Sequence, residues 1–393
     1  MLHLGLFRTW LPQSVKRQVK ELYISTTMVN FALAMVMFWE PIYLYQIGYS
    51  LQKILLFYLV TYIGYVLMMP LGAKFSKKQG YEVSLLLGTC LYAFFYIGLY
   101  LIKDYPSLFY VVALIYTLQK TFYWPAYHAN FARFSNEKEE GREVSAMTVV
   151  TSLVYIVGPA LAGLIISILG YATLFVVVSL IFFASNIPTL ITKEKFEAGD
   201  FSYGHVFKNL FSKQNRKSLI AYLGFGEEFV VLVIWPIFIS IVISNDLDTG
   251  LIVALATLVT TIITLYIGKL SDKSIKHRVL ALGSVFYSLA WFIRIFVVNA
   301  TGIFFLDTFS RLGKNTIAVP LTTITYERAK ILKSDQHHHI MSNVVFFEMS
   351  LVIGKLLAIV LIYILLSYIG QDILAFKMTF VIAGAMTLLY MLL

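Results

Sequence analysis

From Leu22 to Leu393 the chain repeats one pattern: an apolar run long enough to cross a bilayer, then a short polar break. A spanning helix needs roughly 20 mainly apolar residues. Runs of that kind predict helices over 22–45, 51–73, 82–102, 106–133, 144–168, 171–192, 218–244, 249–270, 278–298, 301–328, 343–368 and 372–392. Backbone polar groups in lipid have to be satisfied within the segment, which continuous apolar runs of this length achieve as helices. The expected fold is an all-α membrane protein of twelve transmembrane helices. The longest break, 193–217, carries Lys193, Lys195, Lys208, Lys213, Arg216 and Lys217 among Phe201, Phe207, Leu210 and Phe211, and reads as a cytoplasmic linker with an amphipathic stretch. It divides the chain into an N-terminal six-helix half, 1–192, and a C-terminal six-helix half, 218–393.

The halves carry weak internal symmetry of the kind left by duplication. Pro41 after Trp39 matches Pro236 after Trp235, and Leu87, Gly88 and Tyr92 match Leu282, Gly283 and Tyr287. Pro125 and Arg133 match Pro320 and Arg328, all at an offset of 195, while Gly72 with Gly268 and Gly158 with Gly354 are 196 apart. A constant offset across several helices predicts two pseudo-symmetric halves.

Composition agrees with lipid as the solvent: 59% of the 393 residues are hydrophobic and 13% charged, outside the range of soluble domains. No stretch is left for a soluble catalytic domain, so an enzyme is not expected. The net charge of +10 is scattered over many short loops, which argues against nucleic acid and for positive residues holding loops in the cytoplasm. With the N-terminus cytoplasmic, all but eight of the 31 Lys and Arg residues fall on that side. Lys53, Lys103 and Lys377 lie on the other, and Lys120, Arg294, Arg311, Lys314 and Lys355 lie within spans. The expectation is a multi-pass protein of the cell membrane with both termini cytoplasmic. The first twenty residues lack the apolar core of a signal peptide and read as an interfacial segment. The single cysteine, Cys90, rules out an intrachain disulfide or Cys-based metal site. His337, His338 and His339 read as a solvated loop, so no metal or cofactor is expected.

Between the second and third spans stand Gly72, Ala73, Lys74, Phe75, Ser76, Lys77 and Lys78; between the eighth and ninth stand Gly268, Lys269, Leu270, Ser271, Asp272 and Lys273. The second stretch is similar to the GxxxD(R/K) loop of the major facilitator superfamily, and the first resembles it with a serine in place of the acid. Gly158, Pro159, Ala160, Leu161, Ala162 and Gly163 in the fifth span resemble the GPxxGG element of that family's antiporters. The helix 4 RxxQG motif is absent, with Gln119 and Lys120 the nearest match. The resemblance implies two rocking halves, a gating role for Gly72, Gly268, Asp272 and Lys273, and a cavity between spans 1, 4, 7 and 10.

Ten ionisable residues fall within spans, where each has to face protein or a water-filled path. Seven of them, Glu40, Lys120, Glu227, Glu228, Asp307, Arg311 and Lys314, lie in the four spans that the resemblance places around the cavity. Asp307, Arg311 and Lys314 share one helix face by their i, i+4, i+7 spacing, and Asp307 with Arg311 reads as a structural pair. Arg294 is expected to snorkel outward, and Glu348 to reach the interface. Trp39, Phe122, Tyr123, Trp124, Tyr127 and Trp235 supply aromatic surface, and His128, one turn after Trp124, joins the candidates. The expected substrate cavity is Glu40, Lys120, Trp124, His128, Glu227, Trp235, Asp307, Arg311 and Lys314. Glu227, about nine residues and so about 14 Å into its span, is the first candidate for the coupling proton, then Glu40 and Asp307, with Glu228 on another face.

Together these readings imply a monomeric secondary transporter that works by alternating access and exports a small organic solute against protons. The alternatives are a proton-linked nutrient importer and a flippase that holds a lipid head group through Arg311 and Lys314.

Overall fold

The computed structural model describes residues 17–134, 140–191, 201, 203–213, 215–267, 276–331, 339–370 and 373–393, and among these there is no strand. Among the described residues nine helices are long and apolar enough to cross a membrane: Tyr23–Gln46 (α1), Leu51–Gln79 (α2), Tyr81–Leu101 (α3), Val150–Ala184, Arg216–Val242 (α7), Asp246–Thr264 (within α8, Asp246–Ile267), Lys276–Phe296 (α9), Met341–Ile369 (within α11, His339–Ile369) and Ile373–Leu392 (α12). The helix Glu140–Ala184 breaks at Gly170, whose φ of 79° is a left-handed conformation that favours glycine, and so comprises two legs, α5 and α6. Phe109–Phe134 (α4) and Ala300–Ile331 (α10) are equally long but carry the polar residues of the site. Counted this way, the expected twelve spans fit.

Local sequence sets the ends. Ser50 caps α2 by accepting from the Lys53 amide at 3.2 Å, and α2 runs on to Gly80, past the expected end at 73, because nothing before that glycine (φ 106°) stops it. Pro70, Pro125, Pro159 and Pro320 sit inside helices, as membrane helices tolerate where neighbours re-satisfy the backbone. Leu67, Ile168, Leu282 and Phe296 point outward and are more than 60% exposed, the surface that lipid would cover.

The repeat anchors close the same joints in both halves. A methyl group on Gly88 of α3 would stand 2.7 Å from Tyr123 Cβ of α4, and one on Gly283 of α9 would stand 2.8 Å from Ile317 of α10. Gly158 of α5 packs against Ala34 of α1, and Gly354 of α11 against Leu223 of α7. Small residues let membrane helices approach closely, so the matched glycines mark matched helix pairs. The halves meet along two seams, α5 on α8 and α2 on α11.

Gly72 has a packing role of its own, because a Cβ there would overlap the Thr121 carbonyl of α4. Gly72→Ala should therefore lower the yield of folded protein sharply, since overpacking a tight joint costs about 1–3 kcal/mol. Gly204→Ala, with nothing within 4 Å of the added methyl, should not. Size-exclusion profiles of detergent extracts check the contrast.

Candidate functional site

A cavity of about 830 Å³ lies between the halves and is walled by both. On its N-terminal wall stands Glu40, just past the break in α1 at residues 37–38. Glu40 is buried and accepts hydrogen bonds from Tyr58 at 2.7 Å and Tyr96 at 3.2 Å. Lys120 of α4 lies with its ammonium 4.0 Å from the Tyr116 ring centre and 5.6 Å from that of Tyr62. Trp124 and His128 follow one turn apart, their rings stacked at 5.9 Å.

The C-terminal wall is an ion-pair network. Asp307 accepts from Trp235 Nε1 at 3.0 Å and Arg294 Nη2 at 3.2 Å on one oxygen, and from Arg311 Nε at 2.6 Å on the other. The Arg294 guanidinium lies between Trp235 and Trp291, 4.0 and 4.1 Å from their ring centres. It does not snorkel as expected: the carboxylate and the two indole faces supply what solvent would, and the side chain is 2% exposed. The Asp307–Arg311 pair expected from spacing is present, with Arg294 as a third member.

Below it, Lys314 contacts Glu227 at 3.2 Å and Glu228 at 3.6 Å, and Lys355 of α11 contacts Glu228 at 2.7 Å. Glu227 also accepts from Tyr287 at 2.8 Å and Tyr390 at 3.5 Å and is fully buried. It is not part of the cavity wall; Glu228 is. This corrects the expected placement of the two acids. The cause lies in the irregular path of α7, which passes through a 3₁₀ turn at Leu223–Phe225 and a π-helical stretch at Val230–Ile234, so regular helical spacing misassigns its faces.

Glu348 is a second correction. Instead of reaching the interface it is buried on the cavity wall, 3.2 Å from His128 Nε2 and accepting from Tyr65 at 3.0 Å. These contacts tie α11 to α4 and α2 across the halves. At another point between the halves, Gln46 Nε2 donates to Asp246 Oδ1 at 3.2 Å.

Of the nine expected cavity residues, Glu40, Lys120, Trp124, His128, Trp235, Asp307, Arg311 and Lys314 line the cavity and Glu227 stands behind Lys314. Among the other aromatics, Tyr127 lines it, whereas Trp39 is packed against α5 near Gly163 and Phe122 against Phe75. Sequence reasoning missed the tyrosines. Tyr58, Tyr62 and Tyr65 share a face of α2 by their i, i+4, i+7 spacing, a signal that was present but indistinct in a chain with 26 tyrosines. Gly158 and Pro159 pack α5 against α1 and α8, which accounts for the small residues without reference to a direction of transport. Gly268, Asp272, Lys273, His337 and His338 lie outside the described residues.

Two comparisons bear on this arrangement. The model of the Major Facilitator Superfamily matches residues 22–330. A Bacillus subtilis (strain 168) protein described as "Uncharacterized protein YqgE" is 22% identical over 316 residues, covering 77% of this chain and 72% of the relative.

Proposed function

Since the chain belongs to the major facilitator superfamily, a family of secondary transporters, we propose that it carries a small organic solute across the cell membrane by alternating access, coupled to protons. The observation behind this reading is a charged cavity walled by both halves, large enough for a small organic molecule, with separable polar contacts between the halves. Glu348 with His128 and Tyr65, and Gln46 with Asp246, are hydrogen bonds between the halves. Rocking about the α2–α11 and α5–α8 seams would break some of them and form others. Net export remains the proposed direction, with both termini cytoplasmic, residues 193–217 as the linker and the monomer as the working unit.

The coupling site we favour is the pair Glu227 and Glu228, which share Lys314. A proton placed on either acid releases Lys314 to the other, so protonation changes which groups hold the cavity wall together. A flippase is the less favoured reading, because Arg311 and Lys314, the cations expected to hold its head group, already hold the carboxylates of Asp307, Glu227 and Glu228.

Flux assays in liposomes test the proposal. Purified protein should move at least one member of a panel of small organic solutes, and an imposed pH gradient should drive that compound against its concentration gradient. Flux that ignores the pH gradient would contradict proton coupling.

A further inference from the structure

Within this transport reading, we infer that the cavity takes an organic anion, with Lys120 as the cation that meets its carboxylate or phosphate. The cavity cations differ in how their charge is met. Among the described residues, Arg294, Arg311, Lys314 and Lys355 each have a carboxylate oxygen within 3.2 Å, and His128 has Glu348 at 3.2 Å. Lys120 alone has no ion pair there, although it lines the same cavity and is 8% exposed.

Glu40 is the carboxylate on the same wall, but its two oxygens accept from Tyr58 and Tyr96 and no cation among the described residues lies within 4.0 Å. What Lys120 has instead is the face of Tyr116 at 4.0 Å. A ring face attracts an ammonium but accepts none of its three N–H bonds as a carboxylate would. A buried charge is ordinarily paired or coordinated. Lys120 is therefore a cation oriented by aromatic rings and left open to the cavity, which is the state a site for an anion requires.

The rest of the wall fits an anion with an apolar or aromatic body. Tyr62, Tyr65 and Trp124 line it with aromatic side chains, and the part-exposed edges of Arg311 and Lys314, 34% and 32% exposed as side chains, offer further donors. A cationic solute would meet Lys120, and the cavity carboxylates are already engaged: Glu228, Asp307 and Glu348 hold bases, and both oxygens of the buried Glu40 accept from tyrosines.

Equilibrium binding to purified protein in nanodiscs tests this with probes of one shape and different charge: 2-naphthoate and 2-naphthyl phosphate against 2-naphthamide and 2-naphthylmethylamine. The anions should bind at least tenfold more tightly than the amide and the amine. Lys120→Arg should keep that preference, and Lys120→Met should reduce anion binding at least tenfold while leaving the amide unchanged. Binding of the four probes without preference for the anions, or anion binding by Lys120→Met equal to wild type, would overturn the inference.

Short-chain phosphatidic acid serves as a further probe. If it binds more tightly than the naphthyl anions and loses affinity equally in Lys120→Met, the site is kept and the anion is a lipid head group. A second measurement needs no ligand. Removing an unpaired buried charge should raise the thermal midpoint of Lys120→Met by a few degrees, whereas a fall would make Lys120 a structural residue and overturn the assignment. Flux is read separately: an anion that binds through Lys120 but is not carried supports the site and contradicts the transport reading, and a carried amide with no anion preference does the reverse.

Discussion

Replacing Asp307 with alanine should leave almost no folded protein in the membrane fraction. Asp307 is 3% exposed and accepts from three side chains. One of them, Arg294, is enclosed between Trp235 and Trp291 and bonds Asp307 through Nη2, while its Nε and Nη1 atoms have no hydrogen-bond partner among the described residues. Asp307 is thus the sole ion-pair partner of that guanidinium among the described residues. Breaking a buried pair by deleting one member costs about 3–5 kcal/mol, because the other charge stays buried and uncompensated. Against a typical total of about 5–15 kcal/mol, that loss is large. Asp307→Asn keeps an acceptor for Trp235 and should be intermediate. Arg311→Ala should fold, since its side chain is 34% exposed and Arg294 keeps its partner. Fluorescence-detected size exclusion should rank Arg311→Ala above Asp307→Asn above Asp307→Ala. Equal yields for all three would show that the cluster does not hold the helices, and would return Asp307 to the candidates for the coupling proton.

The second large effect concerns Glu227. Glu227→Gln should abolish accumulation driven by a pH gradient while exchange of substrate across the membrane stays within a few-fold of wild type. Glutamine keeps the shape of the acid and fixes it in the neutral state, so Tyr287 and Tyr390 retain an acceptor while Lys314 loses one of its two carboxylates. If the proton cycle consists of charging and neutralising this acid, the variant is held at one end of it. Substrate that only exchanges needs no such cycle. Glu228→Gln is informative for a different reason from the one sequence spacing suggested. That residue lines the cavity and holds Lys355, so it should impair exchange as well as coupling. Normal gradient dependence in Glu227→Gln would shift the proton site to Glu40, whose tyrosine partners make it the next acid to test.

The architecture was legible in the sequence because lipid imposes a single demand on every span: an apolar run of sufficient length. The offset of 195 between Gly88 and Gly283 was legible for a related reason, since a glycine at a helix joint tolerates no side chain and both halves keep the joint. The charges in spans 1, 4, 7 and 10 pointed to the cavity because an ionisable group in a membrane has few other places to be. Orientation within a span was less legible. The faces of Glu227 and Glu228 depend on 3₁₀ and π turns in α7 that apolar patterning does not announce. Glu348 and Arg294 were misplaced because depth along a helix says nothing of the partner on the next one. His128 and Tyr65 meet Glu348 across 220 and 283 residues of chain, and only the packed fold brings them together.

The central claim is that the cavity opens alternately to the two sides as the halves rock. A covalent tie between the halves tests this most directly. Gln46 and Asp246 touch across the halves, and the chain has one cysteine, Cys90. In a Cys90→Ser background, Gln46→Cys with Asp246→Cys can be bridged by a short bis-thiol reagent. The bridged protein in liposomes should stop moving the compound that the unbridged variant carries, and a linker cleavable by reduction should restore flux once cut. Each single-cysteine variant treated with the same reagent should transport normally. Undiminished flux through the fully bridged protein would contradict alternating access between these halves.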